Sequence, residues 1–352
     1  MKRFATFLIA MSSLTSLNAQ YTFVEEKKLE CTEVKSQDNT GTCWSFSTSS
    51  FIESELLRMG KGNQDLSEMY IVRNIYRDKA RNYILRQGTS NFSQGALAHD
   101  LIRMMGQVGL MFESDYSGLV GEDSTHNHSE MESALKGYLD GVRKSKNVSD
   151  KWMAGFDGIL DAYLGPLPAG KDPQKLAASF GIKASDYVSY TSFTHHPFDA
   201  PFILELPDNY SNGSFNNVPL DDLMKIIDEA LANGYSLAWD GDVSEKGFAA
   251  RSGLAIVPKD PKRDSLMTIP GEELIVSQEL RQEQFERLKT TDDHLMHMIG
   301  TAEDENGTKY YIIKNSWGAI SDFDGFLYMS ESYVRLKTVG ILLHKDGVPK
   351  KL

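Results

Sequence analysis

Apolar positions change their spacing along this chain, and the change divides it. After Cys43, apolar residues at Phe46, Phe51, Leu56, Leu57 and Met59 recur at helical spacing, and Gly60 follows as a stop. A helix beginning at Cys43 is expected. Leu66–Tyr76 and Ala96–Met105 repeat the amphipathic pattern, so residues 43–115 read as mostly helical. Ser129–Leu139 and Trp152–Tyr163 are further helical stretches, followed by the turn-rich Leu164–Pro168. A helix over Leu220–Asn233 opens the last part. Short apolar runs then read as strands at Ser236–Trp239, His294–Thr301, Tyr310–Lys314 and Gly325–Met329. Residues 20–42 read as extended. The loop Lys259–Ser265 and the charged helix Glu279–Lys289 read as solvated, and no internal repeat is visible. Helices first and strands later make this an α+β chain.

The first nineteen residues follow another pattern. Met1-Lys-Arg3 is basic, Phe4–Met11 is apolar, and a polar stretch ends at Leu17-Asn-Ala19. That is the layout of a secretory signal peptide, and the apolar run is too short for a bilayer span. Export to a periplasmic or extracellular space is the expectation. The apolar fraction of 41% is enough for a sizeable core. The formal net charge of −12 becomes more negative once Lys2 and Arg3 are removed. An acidic surface argues against nucleic acid and against anionic membrane as partners.

Cys31 and Cys43 are the two cysteines. Cys31 sits at an apolar position in a short extended segment and is expected to be a small buried hydrophobe. Neither has a histidine pair at ligand spacing, so no metal site and no cofactor are expected. The adjacent His195-His196 is read as structural, because neighbouring residues on a strand diverge. Cys43 has different surroundings. It opens a helix, whose positive end favours a thiolate. A histidine follows at His294 or His297, and Asn315 follows that. A thiol needs an imidazole to take its proton, and the imidazole needs a third group to orient it.

The runs Gln37-Asp-Asn-Thr-Gly-Thr-Cys43-Trp-Ser-Phe-Ser47, Asp293-His294 and Lys314-Asn-Ser-Trp-Gly318 resemble the papain-like cysteine peptidases. The resemblance implies a two-lobe fold, one lobe helical and the other β-barrel-like. It makes Cys43 the nucleophile, His294 the acid–base group and Asn315 its orienter. Gln37 becomes an oxyanion donor, and Trp317 shields the His294–Asn315 bond. His294 is selected because a small residue, Gly300, follows six positions later. Gly95 and Ala96 stand where the family has paired glycines at the cleft edge. Asp240 and Asp242 lie on a strand that flanks the cleft in similar enzymes.

His294 follows Cys43 by 251 positions, against roughly 130–150 in plain papain-like enzymes. The intervening sequence is similar to the bleomycin hydrolase and aminopeptidase C branch. The likeness is clearest in Asp186–Phe198, Leu206–Tyr210, Asn217–Asp221 and Trp239–Val243. The expected organisation is a signal peptide over 1–19, a helical lobe over 20–115, a helical insertion over 116–215 and a β-rich lobe over 216–352. The branch implies a peptide substrate cut at its N-terminus, and leaves a homo-oligomer open. In that branch the C-terminal carboxylate fixes the substrate amine. Here Lys345–Leu352 is shorter than that arm and carries Lys350 and Lys351. An open-cleft endopeptidase therefore stays as an alternative, as does a non-catalytic peptide-binding protein on the same fold.

Overall fold

The computed structural model describes residues 21–263 and 265–351. Residues 1–19, expected from the sequence to be a signal peptide, lie outside the described residues. The chain begins with β1 (Phe23–Lys28), then α1 (Cys43–Arg58), α2 (Glu68–Leu85), α3 (Ala98–Val108), α4 (Ser129–Arg143), α5 (Trp152–Leu164) and α6 (Pro173–Phe180). Strands β2 (Tyr187–Thr191), β3 (Ala200–Ile203) and β4 (Ser214–Asn217) precede α7 (Leu220–Ala232). Then come β5 (Leu237–Gly241), β6 (Phe248–Ala249), β7 (Leu254–Ala255) and α8 (Gln278–Glu286). The last part holds β8 (His294–Asp304), β9 (Lys309–Lys314), β10 (Phe326–Ser330), α9 (Glu331–Lys337) and β11 (Thr338–His344).

Among the described residues the strands form one eleven-stranded sheet, ordered β3-β4-β2-β11-β5-β8-β9-β10-β7-β6, with β1 also paired to β8. The sheet is open. The barrel-like closure expected from the sequence is absent because the outer strands β3 and β6 do not pair with each other. A second correction concerns segment 116–215. It holds α4–α6 as expected, but it also supplies β2–β4, which extend the main sheet through the β2–β11 pair. Strand β11 itself was not anticipated. Its continuous apolar run is buried on both faces, so it shows no alternation.

Helix α1 is the axle of the molecule. It packs against β8, β5, α2 and α3. All of Cys43–Leu56 is buried, with Phe51 and Ile52 fully so. Each such apolar side chain contributes roughly 1.5–3 kcal/mol. Its polar residues survive burial by finding partners. Ser45 donates to the Glu68 carbonyl (3.0 Å) and Ser54 to the Glu30 carbonyl (2.9 Å). On the other side of the sheet, α7 and α9 cover a second core around Trp239, Met296, Met298 and Tyr333. Strand β1 crosses β8 at Gly300, where a Cβ would stand 2.1 Å from the Lys27 carbonyl oxygen. Only glycine permits that crossing.

Two smaller expectations fail. Cys31 is only half-buried, at the edge of the cluster under β1. The charged helix α8 is not fully solvated. Arg281 is buried, with Nε on the Ser192 carbonyl (2.8 Å) and one terminal nitrogen on the Arg335 carbonyl (3.0 Å). No helix among the described residues is long and apolar enough to cross a membrane.

Candidate active site

Thr42 precedes α1 as its N-cap without a side-chain bond to the helix, so Cys43 starts the helix; Ser45 bonds back to the Thr42 carbonyl (2.9 Å), which leaves the Cys43 and Trp44 amides without intrahelical acceptors. Cys43 is 8% exposed. Burial pushes its thiol up to about 12; the Leu295 amide pulls the other way, while Asp292 and Asp240 push it further up. Leu295 follows His294 at the start of β8, so its amide contact with Cys43 brings that end of the strand to the start of the helix.

His294 is buried. Its Nε2–H donates to Asn315 Oδ1 at 2.7 Å, and Trp317 stacks on the ring with centroids 4.6 Å apart. That bond fixes the tautomer and leaves Nδ1 as the free basic nitrogen. Burial pushes the imidazole down to about 4, and the Asn315 bond opposes this. Burial thus disfavours both charged forms, thiolate and imidazolium. No hydrogen bond joins Cys43 to His294 among the described residues. Such bonds often tighten only with substrate in place.

Asn315 stands just past β9, and its Oδ1 also accepts from the Ser316 amide (2.8 Å). The same loop holds Gln37. The Gln37 amide donates to the Ser316 carbonyl (2.8 Å), and Gln37 Oε1 accepts from Ser316 Oγ (2.7 Å). One Nε2 hydrogen goes to the Thr40 carbonyl (2.7 Å), which leaves a second donor. Gln37, Cys43, His294 and Asn315 thus share one neighbourhood, though they come from three stretches of chain. His297 faces elsewhere. It points at α1, where Nδ1 meets Ser50 Oγ (2.9 Å).

A cavity of about 300 Å3 opens beside Cys43. Gly41 and Trp44 wall one side, Ser93–Ala96 another, and Asp292, Asp293 and Leu295 a third. Gly95 and Ala96 therefore border it. Trp44 Nε1 anchors this wall by donating to the Gln94 carbonyl (2.9 Å). Asp240 lies opposite Leu295 in the β5–β8 register and is buried, with its carboxyl against that of Asp292. Asp242 does not line the cavity. Its carboxylate accepts from the Ser244 amide (2.8 Å) and the Thr291 amide (3.1 Å), with Lys337 Nζ at 3.5 Å. It props the approach to β8.

Sequence reasoning missed Asp208 and Asp292. Asp292 sits two places before His294, a signal that was present. Asp208 reaches the cavity from the β3–β4 connection, within the Leu206–Tyr210 run whose likeness carried no role for it. His195 and His196 were expected to diverge on a strand. They lie in a turn after β2 instead, and both imidazoles meet Glu205, at 3.2 and 2.7 Å. These three are the group among the described residues with metal-ligand spacing. None of them lines the Cys43 cavity.

Comparison with known proteins agrees with this geometry. The Peptidase C1-like family pattern matches residues 172–352, and that of the papain family cysteine proteases matches 19–153. Aminopeptidase G of Lactobacillus delbrueckii subsp. lactis and aminopeptidase E of Lactobacillus helveticus are each 26% identical over 178 residues. That stretch is 49% of this chain and spans only 38% of those relatives' own length. The crystal structure of PepW from Lactobacillus rhamnosis superposes with a TM-score of 0.73 at 17% identity, covering 93% of this chain and 83% of that one. The fold is therefore papain-like. With just over half of its length matched by one family pattern, and its thiol, imidazole and amide in that family's order, the chain belongs to the Peptidase C1-like family.

Proposed function

We propose that the protein is a cysteine peptidase that removes residues from the N-terminus of peptides. The observation that carries this reading is the His294–Asn315 bond under Trp317, set beside a cysteine that opens both a helix and a 300 Å3 cavity. Substrate binding brings the scissile carbonyl to Cys43. The thiol proton passes to His294 Nδ1 as sulfur attacks the carbonyl carbon. The free Gln37 N–H and the Cys43 amide hold the oxyanion. His294 then protonates the departing amine, and a water activated by the same imidazole releases the acyl group. Asn315 keeps the ring oriented throughout. The likeness to aminopeptidases G and E supports N-terminal cleavage.

The test compares an aminoacyl coumarylamide having a free amine with its N-acetylated and N-blocked peptidyl counterparts, using Cys43→Ala as control. Cys43-dependent release from the free-amine substrate is expected. Release from blocked peptides alone would replace the reading with an endopeptidase. The pattern of residues 1–19 supports export as part of this proposal. N-terminal sequencing of protein recovered outside the cytoplasm should begin near Gln20; an intact Met1 would refute processing.

A further inference from the structure

Four carboxyl groups face the cavity, from Glu132, Asp208, Asp292 and Asp293, and among the described residues no lysine or arginine lines it. Two of the four are occupied. Glu132 Oε2 accepts from Gln94 Nε2 (2.8 Å), and Asp293 accepts from Thr291 Oγ1 (2.7 Å) and the Val243 amide (3.4 Å). Asp208 is half-engaged. Its Oδ1 accepts from Asn91 Nδ2 (2.9 Å) and Ser93 Oγ (3.3 Å), while Oδ2 rests over Gly95 with no hydrogen bond. A Cβ at Gly95 would lie 1.8 Å from that oxygen, so glycine is what admits the carboxylate to the wall. The nearby buried Lys79 ammonium is bound to the Ser93 carbonyl (2.9 Å) and the Gly95 carbonyl.

The second observation lies behind this wall. Asp240 is 5% exposed, and among the described residues its oxygens meet no N–H or hydroxyl donor; its one hydrogen-bonding neighbour is the Asp292 carboxyl, with which it can share a proton. Asp292 Oδ2 likewise meets no such donor. Buried carboxyls are normally paired, and leaving one unpaired costs several kcal/mol. Burial, then Asp208, raise Asp292 to about 7. Among the described residues no lysine or arginine acts on Asp240 or Asp292; the one cation near Asp208 is Lys79, which is held on backbone carbonyls. Chain geometry says which cation fits. In a peptide with a free N-terminus the α-nitrogen is two bonds from the carbonyl carbon, roughly 2.5 Å away. When that carbonyl sits at Cys43, the ammonium must lie in the same cavity.

We propose that Asp292 and Asp208, backed by Asp240, form a subsite that binds the free α-ammonium of the substrate beside Cys43 and restricts the protein to unblocked N-termini. This rests on the cysteine-peptidase reading and names its substrate class. The described C-terminal residues do not take this place. They lie against α7, where Lys225 Nζ meets the Lys351 carbonyl (2.7 Å).

The test is calorimetric titration of Cys43→Ala protein with trialanine and with N-acetyl-trialanine, since this variant binds without turnover. Trialanine should bind at least about tenfold more tightly, the range for one charge-assisted hydrogen bond. Asp292→Asn and Asp208→Asn should each lower that ratio, and together bring it to within about twofold of one, with thermal melting showing that the variants fold. Equal affinity for the two peptides overturns the proposal, as does a preference that survives both substitutions. Tighter binding of an N-acetylated, lysine-containing peptide than of trialanine also overturns it, because the acids would then serve a side chain. Failure of the peptidase reading looks different: Cys43-dependent hydrolysis would be missing while the amine preference persisted.

Discussion

Helix α1 separates two buried charged regions that solve the same problem in opposite ways. Beneath it, Lys35 Nζ meets Glu68 at 2.8 Å and Asp65 at 2.6 Å, with Glu53 at 3.9 Å. Glu53 also accepts from the Leu66 amide (2.8 Å) and Thr32 Oγ1 (2.6 Å). Lys314 Nζ adds bonds to Thr32 (2.9 Å) and Ser50 (2.8 Å). Burial works against the Lys35 charge, yet Glu68 and Glu53 outweigh it and hold the ammonium above its ordinary value. On the cleft side, Asp240 and Asp292 meet no such cation among the described residues, and Asp208 has only the nearby Lys79, bound to backbone carbonyls. Burial and Asp292 hold the Asp240 carboxyl well above the usual carboxylate range. The first region holds its own counter-ion in Lys35, although burial still raises Glu68 to about 8 and Glu53 above the ordinary carboxylate value. The second is left for a proton or a ligand to complete. A buried acid whose partner is internal serves architecture, whereas one without a partner points toward binding.

The comparison breaks most sharply at Cys43. Cys43→Ala should abolish peptide hydrolysis, a loss of at least about 10⁴-fold in kcat, while the melting temperature stays close to the parent's. Turnover that survives would remove the nucleophile assignment. Next in size is the closed region. Lys35→Ala strands Glu53 and Glu68, and should destabilise the fold by about 3–5 kcal/mol in urea unfolding. A loss under about 1 kcal/mol would mean that the network contributes little. Asn315→Ala frees the imidazole and should lower kcat by roughly 10–100-fold with a smaller change in KM. An equal rise in KM would point to a distorted cleft instead.

The smallest effect is the most diagnostic for the open region. Asp292 sits at about 7 in the folded protein against an ordinary 3.8. The folded state therefore holds the proton more tightly. Its contribution to stability is complete below about pH 4 and is lost as pH rises through about 7. Asp292→Asn should remove that slope and gain roughly 1 kcal/mol at pH 8, allowing for the partial exposure of the group. Parallel melting curves across this pH range in parent and variant would show that Asp292 is already compensated.

Much of this was legible in the amino-acid order. The start of α1 at Cys43, the helices α2–α5 and α7, and the strands β8–β10 follow from local periodicity and stops. The runs around Cys43, His294 and Asn315 marked residues that the fold does bring together, because each sits in its own local sequence. Other features depended on distant chain. Whether the sheet closes rests on pairing between β3 and β6, and β11 finds β2 and β5 only in the assembled core. The turn that brings His195 and His196 onto Glu205 belongs to the same class. So does the acidic wall, where Asp208, Asp240 and Asp292 come from three separate segments. Periodicity reports which face of an element is apolar. It cannot report which carboxyls end up together without a counter-ion, because that is decided by register, crossing and burial once the whole chain has packed.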